Sequence, residues 1–193
     1  MALAQPTPLP FPEAETTEPV FQPKQQELMV EFAEQFTQLQ GKFVFCMNEA
    51  ELSESLNVLV SQRQWRKIYC SEEKIQNLIA RDLLTPDISS CDASITSCEA
   101  LIARTGSVVL SSSQQGRLSS VYAPVHICIA FAHQLVYDVK DGLTHVSKKY
   151  LNNMPSLITF ATGPSRTADI EKTLVVGVHG PREVFCFVLD DQN

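Results

Sequence analysis

The 193-residue sequence predicts a single-domain α/β/α sandwich around a mixed, largely parallel sheet, and three observations carry that expectation. Short apolar runs with strand character alternate with amphipathic helical stretches in units of about 25 residues, the pattern of βα crossovers. Runs such as PVHICIAFA (124–132) and VFCFVLD (184–190) are apolar almost throughout, as strands buried on both faces are. An apolar content of 44% is ample for one continuous core.

Residues 1–23 read as a flexible Pro-rich arm, with Pro6, Pro8, Pro10 and Pro12 excluding both a helix and a continuous apolar segment. The folded domain is expected over 24–193. Leu28, Phe32, Phe36 and Leu39 recur at helical spacing until Gly41, which predicts a first helix. KFVFC (42–46) is then a short strand, followed by a helix over 48–64 with Asn48 as N-cap and Glu51 three residues on. The unit repeats as KIYC (67–70) and a helix opened by Ser71 over 71–83. Between 92 and 132, DASIT, ALIA, SVVLSS and PVHICIAFA are strands expected to lie side by side, joined by ARTG and by the polar loop SSSQQGRLSS. An amphipathic helix over 136–153 leads to SLITFAT, and VFCFVLD closes the sheet; SRTADIEKTLVVGV between them fits neither period.

Fifteen basic against 22 acidic residues give a net charge of −7 and a pI near 5.1. With no basic stripe interleaved with aromatics, nucleic acid is not an expected partner. No run approaches the length of a membrane-spanning helix. The six cysteines are widely separated, without a CxxC pair, so neither a zinc nor an iron–sulfur site is written in the sequence and no cofactor or metal is expected. Free thiols in apolar runs fit the reducing cytoplasm.

Candidate site residues concentrate where glycine and proline break the sheet next to charge. ARTGS offers Thr105 and a tight turn at Gly106, and SSSQQGRLSS offers hydroxyls, Gly116 and the planar cation of Arg117. TGPSRTADIE, from 162 to 171, supplies Gly163, Ser165, Arg166 and Thr167, parts suited to binding a small anionic ligand. Asp169 and Glu171 follow, either as an acid–base pair or as structural partners of Arg166 and Arg182. In VVGVHGPRE, His179 stands beside Gly180 and Arg182 and is the best candidate base, against the alternative of a hydrogen-bonded structural histidine. The expectation is that these residues converge in one cleft, with Arg166 and Arg182 holding the anion.

TGPSRTADIE followed by VVGVHGPRE, with ALIARTGSVVLSS and PVHICIA upstream, resembles the signature of the LUD-domain family, in its lactate-utilisation branch. The resemblance implies a fold similar to ribose-5-phosphate isomerase and CoA-transferase-like proteins. It also implies a non-redox subunit or accessory factor beside the iron–sulfur subunits of a system oxidising L-lactate to pyruvate. Arg104 stands where the family commonly has an acidic residue before Thr-Gly, so a carboxylate in that loop is absent. A small-molecule enzyme acting on a phosphosugar, a carboxylate or a CoA ester remains the alternative, and the residues leave open whether the protein is an enzyme.

Overall fold

The computed structural model of the chain describes residues 23–24, 26–114, 116–168, 174–177 and 179–191. Residues 1–22 of the arm expected over 1–23 lie outside them. Helix α1 (Leu28–Gln38) buries Phe32 and Phe36, stacked with ring centroids 5.4 Å apart, and leads into strand β1 (Lys42–Cys46). Helix α2 (Glu49–Arg63) begins as its sequence predicts: Asn48 Oδ1 accepts from Glu51 N at 2.9 Å, and Glu51 Oε2 accepts from Met47 N at 2.8 Å.

The next unit departs from expectation. After β2 (Ile68–Tyr69), helix α3 is a single turn, Glu73–Gln76, with Glu72 and not Ser71 at the N-cap position and no side-chain cap. Ile75 and Ile79 both enter the core, and the chain then turns through Arg81–Leu83 so that β3 (Leu84–Thr85) can pair with β2. Strand pairing here overrides the helical propensity of 77–83.

The middle strands divide between two sheets. β4 (Ala93–Thr96) joins the principal sheet, whereas β5 (Ala100–Ile102) and β6 (Ser107–Ser111) pair antiparallel in a second one. The polar stretch after β6 is not a loop: a 3₁₀ turn at Ser112–Gln114 precedes helix α4 (Gly116–Tyr122). Strand β7 (Val125–Phe131), β8 (Leu135–Val136), helix α5 (Val139–Tyr150, capped by Asp138) and β9 (Ile158–Ala161) follow. The segment without a clear period forms a hairpin of β10 (Arg166–Ala168) and β11 (Leu174–Val176), and β12 (Glu183–Leu189) ends the fold.

The principal sheet has the order β1-β12-β7-β4-β2-β3, with every pairing parallel. The smaller sheet is β8-β5-β6-β9, with β5–β6 and β6–β9 antiparallel. Burial explains the layering. Along β12, Phe185, Phe187 and Leu189 pack toward α2, while Val184, Cys186 and Val188 pack toward α1 and the second sheet. Two-residue alternation of two apolar sets is how a strand buried on both faces divides its side chains. The second sheet does the same, with Leu101 and Val108 inward and Ala100, Ile102 and Val109 against Val146 of α5. The predicted α/β layers and largely parallel sheet are present, with a second sheet standing between the helical layers.

Candidate functional site

The direction of the strands decides where the sequence-predicted residues go. β5 and β9 run the same way in the smaller sheet and β6 runs against them, so the turns after β5 and β9 meet at one end and the segment after β6 leaves from the other. Thr105 Oγ1 and Ser107 Oγ are 2.8 Å apart, and Ser107 Oγ lies 2.8 Å from Thr162 Oγ1. Gly106 sits here under α1. Gly163 adopts φ +76°, and a Cβ on it would stand 2.4 Å from Leu39 O. Arg166 donates from Nη2 to the same Leu39 carbonyl at 2.8 Å, a cation at the C-terminal end of a helix. Gly116 opens α4 with Arg117 next to it, at the opposite end of this sheet.

His179, Gly180 and Arg182 come together at the amino edge of the principal sheet, because they precede the parallel strand β12. They line an open cleft of about 440 Å³ with Pro124, Gly177 and the two-thirds-exposed ring of Tyr122. Ser165 is tied in behind them: its N–H donates to Pro181 O and its carbonyl accepts from Gly177 N, both at 2.9 Å. Gly177, at φ +79°, lies beneath the Arg182 stem, where a Cβ would be 2.2 Å from Cγ. Arg166, Gly163, Thr105 and Gly106 do not line this cleft. Thr167 pairs through its backbone with Val175 in the hairpin, and Asp169 and Glu171 lie outside the described residues. Arg104 is held by Asp138, Nη2 to Oδ1 at 2.7 Å, which fixes the N-cap of α5 and leaves the reversed charge turned to a structural partner.

A second and larger cavity, of about 630 Å³, opens at the carboxyl edge of the same sheet. That edge is where open parallel sheets ordinarily hold ligands. Its floor is apolar, with Ile75, Ile129, Phe131 and Leu189, and three of its polar side chains, Glu72, Gln134 and His133, are pinned by local bonds. Glu72 accepts from Ser97 N at 2.8 Å and from Ser97 Oγ at 2.5 Å. Gln134 donates from Nε2 to Cys98 O at 2.7 Å and accepts from Phe131 N at 2.8 Å. His133 stacks on Phe131 and meets Asp191 through Nδ1, with its backbone N–H on the other carboxylate oxygen at 3.1 Å.

Beneath the rim, Glu99 is fully buried. Oε1 accepts from Ser111 Oγ at 2.5 Å and Tyr150 OH at 2.7 Å, and Oε2 accepts from Lys149 Nζ at 2.8 Å. Burial alone would raise its pKa, but the Lys149, Ser111 and Tyr150 donors outweigh that and hold it below the ordinary carboxylate value. Lys149 is likewise held above its usual value, the Glu99 partner overcoming the desolvation that would lower it. Glu72, Glu99 and Lys149 stand outside the candidate residues that the sequence singles out. A single glutamate inside the apolar stretch SCEALIA is the signal that marks Glu99, since a carboxylate is buried only with partners.

All six cysteines are buried, unpaired thiols, and among the described residues no group of three or more His, Cys, Asp or Glu is placed to hold a metal. Cys98 is pushed well above the ordinary thiol value by its hydrogen bond with Cys128 and by burial. No described helix is long and apolar enough to cross a membrane.

Comparison with known proteins places this architecture. Lactate utilization protein C of Deinococcus radiodurans is 34% identical over 105 residues, 53% of this chain and 49% of that protein. Lactate utilization protein C of Shouchella clausii and lactate utilization protein C 1 of Bacillus mycoides are 38% and 36% identical over 103 and 106 residues, each alignment taking 45% of the relative. The chain thus spans about half the length of the curated relatives it matches. A crystal structure of a DUF162 family protein from Deinococcus radiodurans shares the fold, with a TM-score of 0.61 at 19% identity over 84% of this chain and 96% of that one. The LUD domain profile matches residues 67–189, from the residue before β2 to the last residue of β12. With both sheets and both edge clefts falling largely inside that match, the chain belongs to the LUD domain family.

Proposed function

We propose that the protein is a non-redox subunit or accessory factor of a cytoplasmic system that oxidises L-lactate to pyruvate, working beside iron–sulfur subunits. The observation that carries this reading is the alignment with relatives named lactate utilization protein C, at 34% to 38% identity over about 100 residues. Oxidation of a 2-hydroxy acid to a 2-oxo acid removes two electrons and two protons, so some subunit must accept the electrons. The cysteines here are dispersed in the core as thiols, with Cys98 and Cys128 held strongly toward the protonated form, and offer no cluster spacing. Iron–sulfur electron transfer in this reading belongs to the partners. In this reading His179 and Arg182, exposed beside Tyr122 at the amino edge, meet an anionic group of a ligand or partner. Arg166, engaged by Leu39, braces α1 against the hairpin.

Affinity-tagged protein drawn from its own cells growing on L-lactate is expected to retain proteins containing iron and acid-labile sulfide. The same chain purified alone is expected to lack both iron and a visible absorption band. Stoichiometric iron in the isolated chain, or a pull-down free of iron–sulfur proteins, would count against the assignment.

A further inference from the structure

Lys149 has a place at the carboxyl-edge crevice that the lactate reading does not use. It enters from the last turn of α5 with its side chain 46% exposed, and Glu99 holds its ammonium from below. A surface lysine ordinarily loses conformational freedom when it binds an anion; here the buried carboxylate has already ordered it. An ammonium carries three N–H donors; the Glu99 bond uses one, and the Tyr150 ring lies 5.3 Å from Nζ on another side.

Several acceptors near it are engaged, while Glu49 on the crevice wall keeps an open carboxylate. Glu99 takes three donors, Glu72 takes both donors of Ser97, Gln134 Oε1 takes the Phe131 N–H, and His133 Nδ1 faces Asp191. Lys149 Nζ offers N–H donors at this corner, above the apolar floor of Ile75, Ile129, Phe131 and Leu189. Such a cavity fits a ligand with anionic oxygen at one end and an apolar body at the other. Its volume of about 630 Å³ falls within the range of small-molecule sites.

We propose that the carboxyl-edge crevice binds a small carboxylate, with its oxygens on Lys149 Nζ and its apolar part on the crevice floor. The site rests on the crevice's own geometry and would survive the loss of the lactate assignment. It also lies at the opposite end of the sheet from the Arg182 cleft.

Pyruvate titrated into the ¹⁵N-labelled full chain, with sodium sulfate at matched ionic strength as the control, tests the site. Saturable amide shifts are expected at Ser97, Cys98, Gln134 and Lys149, with affinity in the millimolar range. Lys149→Met should weaken binding by about tenfold or more, whereas Lys148→Met, which removes the same charge one residue away and outside the crevice, should not. Because Lys149→Met leaves Glu99 buried without its cation, the double variant Glu99→Gln/Lys149→Met provides a neutral interior in which to repeat the titration. The proposal is overturned by an absence of saturable shifts, by sulfate reproducing them, by binding that persists in the double variant, or by equal losses from Lys148→Met.

Discussion

Gly106→Ala is expected to destabilise the protein by about 3 kcal/mol or more, lowering the melting temperature by roughly 10 °C. Gly106 has φ +58°, in the left-handed region where a Cβ meets the carbonyl oxygen and costs about 1–2 kcal/mol. The added methyl would also stand 2.5 Å from Phe36 N and 2.7 Å from Gln35 C. Those atoms belong to the backbone of α1, which cannot retreat because Phe32 and Phe36 are both wholly buried. Gly142→Ala is the matched control. Its Cβ would stand 3.2 Å from the tip of Ile102, which can give way, and alanine favours the helix by about 1 kcal/mol. Thermal melts that show the two variants equally stable would mean that α1 does not press on the 103–106 turn as described.

The second large effect is one of pH. His126 lies at the start of β7 between Ser94 of β4 and Val184 of β12, buried to 1% exposure, with Thr96 Oγ1 at 2.9 Å from Nε2. Burial lowers its pKa to about 4. In the unfolded chain the imidazole titrates near 6.5. Between those values the unfolded state binds a proton that the fold excludes, so stability falls as pH drops below about 6.5 and this contribution levels off near pH 4. The full loss is about 3 kcal/mol. Glu99, whose folded value is depressed, acts in a separate window: its stabilisation is present above the ordinary carboxylate pKa and is lost as pH falls through its lowered folded value. Urea midpoints across the pH range should show the His126 slope in the native chain and a flatter profile in His126→Gln. An unchanged slope in that variant would place the titrating group elsewhere.

Much of the architecture is legible where one residue pattern has one structural outcome. Phe32 and Phe36 mark the buried stripe of α1, Asn48 and Glu51 mark the start of α2, and the continuous apolar run at 184–189 forms the inner strand β12. The division of the middle strands is not legible, because Leu101 and Val108 read as buried whichever sheet they join. Only long-range pairing separates them from Ile95 and Ile127. The helix expected after Ser71 loses its second half to the pairing of Leu84 and Thr85 with β2, a tertiary demand that no local propensity announces. The signature segments at 162–168 and 179–183 stand out by composition. They meet through the backbone, Ser165 N–H on Pro181 O, while their arginines diverge: Arg166 reaches Leu39 and Arg182 lines the amino-edge cleft. The carboxyl-edge crevice assembles from Glu72, Ser97, Gln134 and Lys149, which are far apart in the chain and join no contiguous motif.

Growth on L-lactate tests a place in lactate oxidation most directly. Deleting the coding sequence from its own cell should abolish or strongly slow growth with L-lactate as sole carbon source and leave growth on pyruvate unchanged, since pyruvate enters after the oxidation. Supplying this chain again should restore growth on L-lactate. Equal growth of the deletion strain and its parent on L-lactate, or an equal defect on pyruvate, would contradict the assignment.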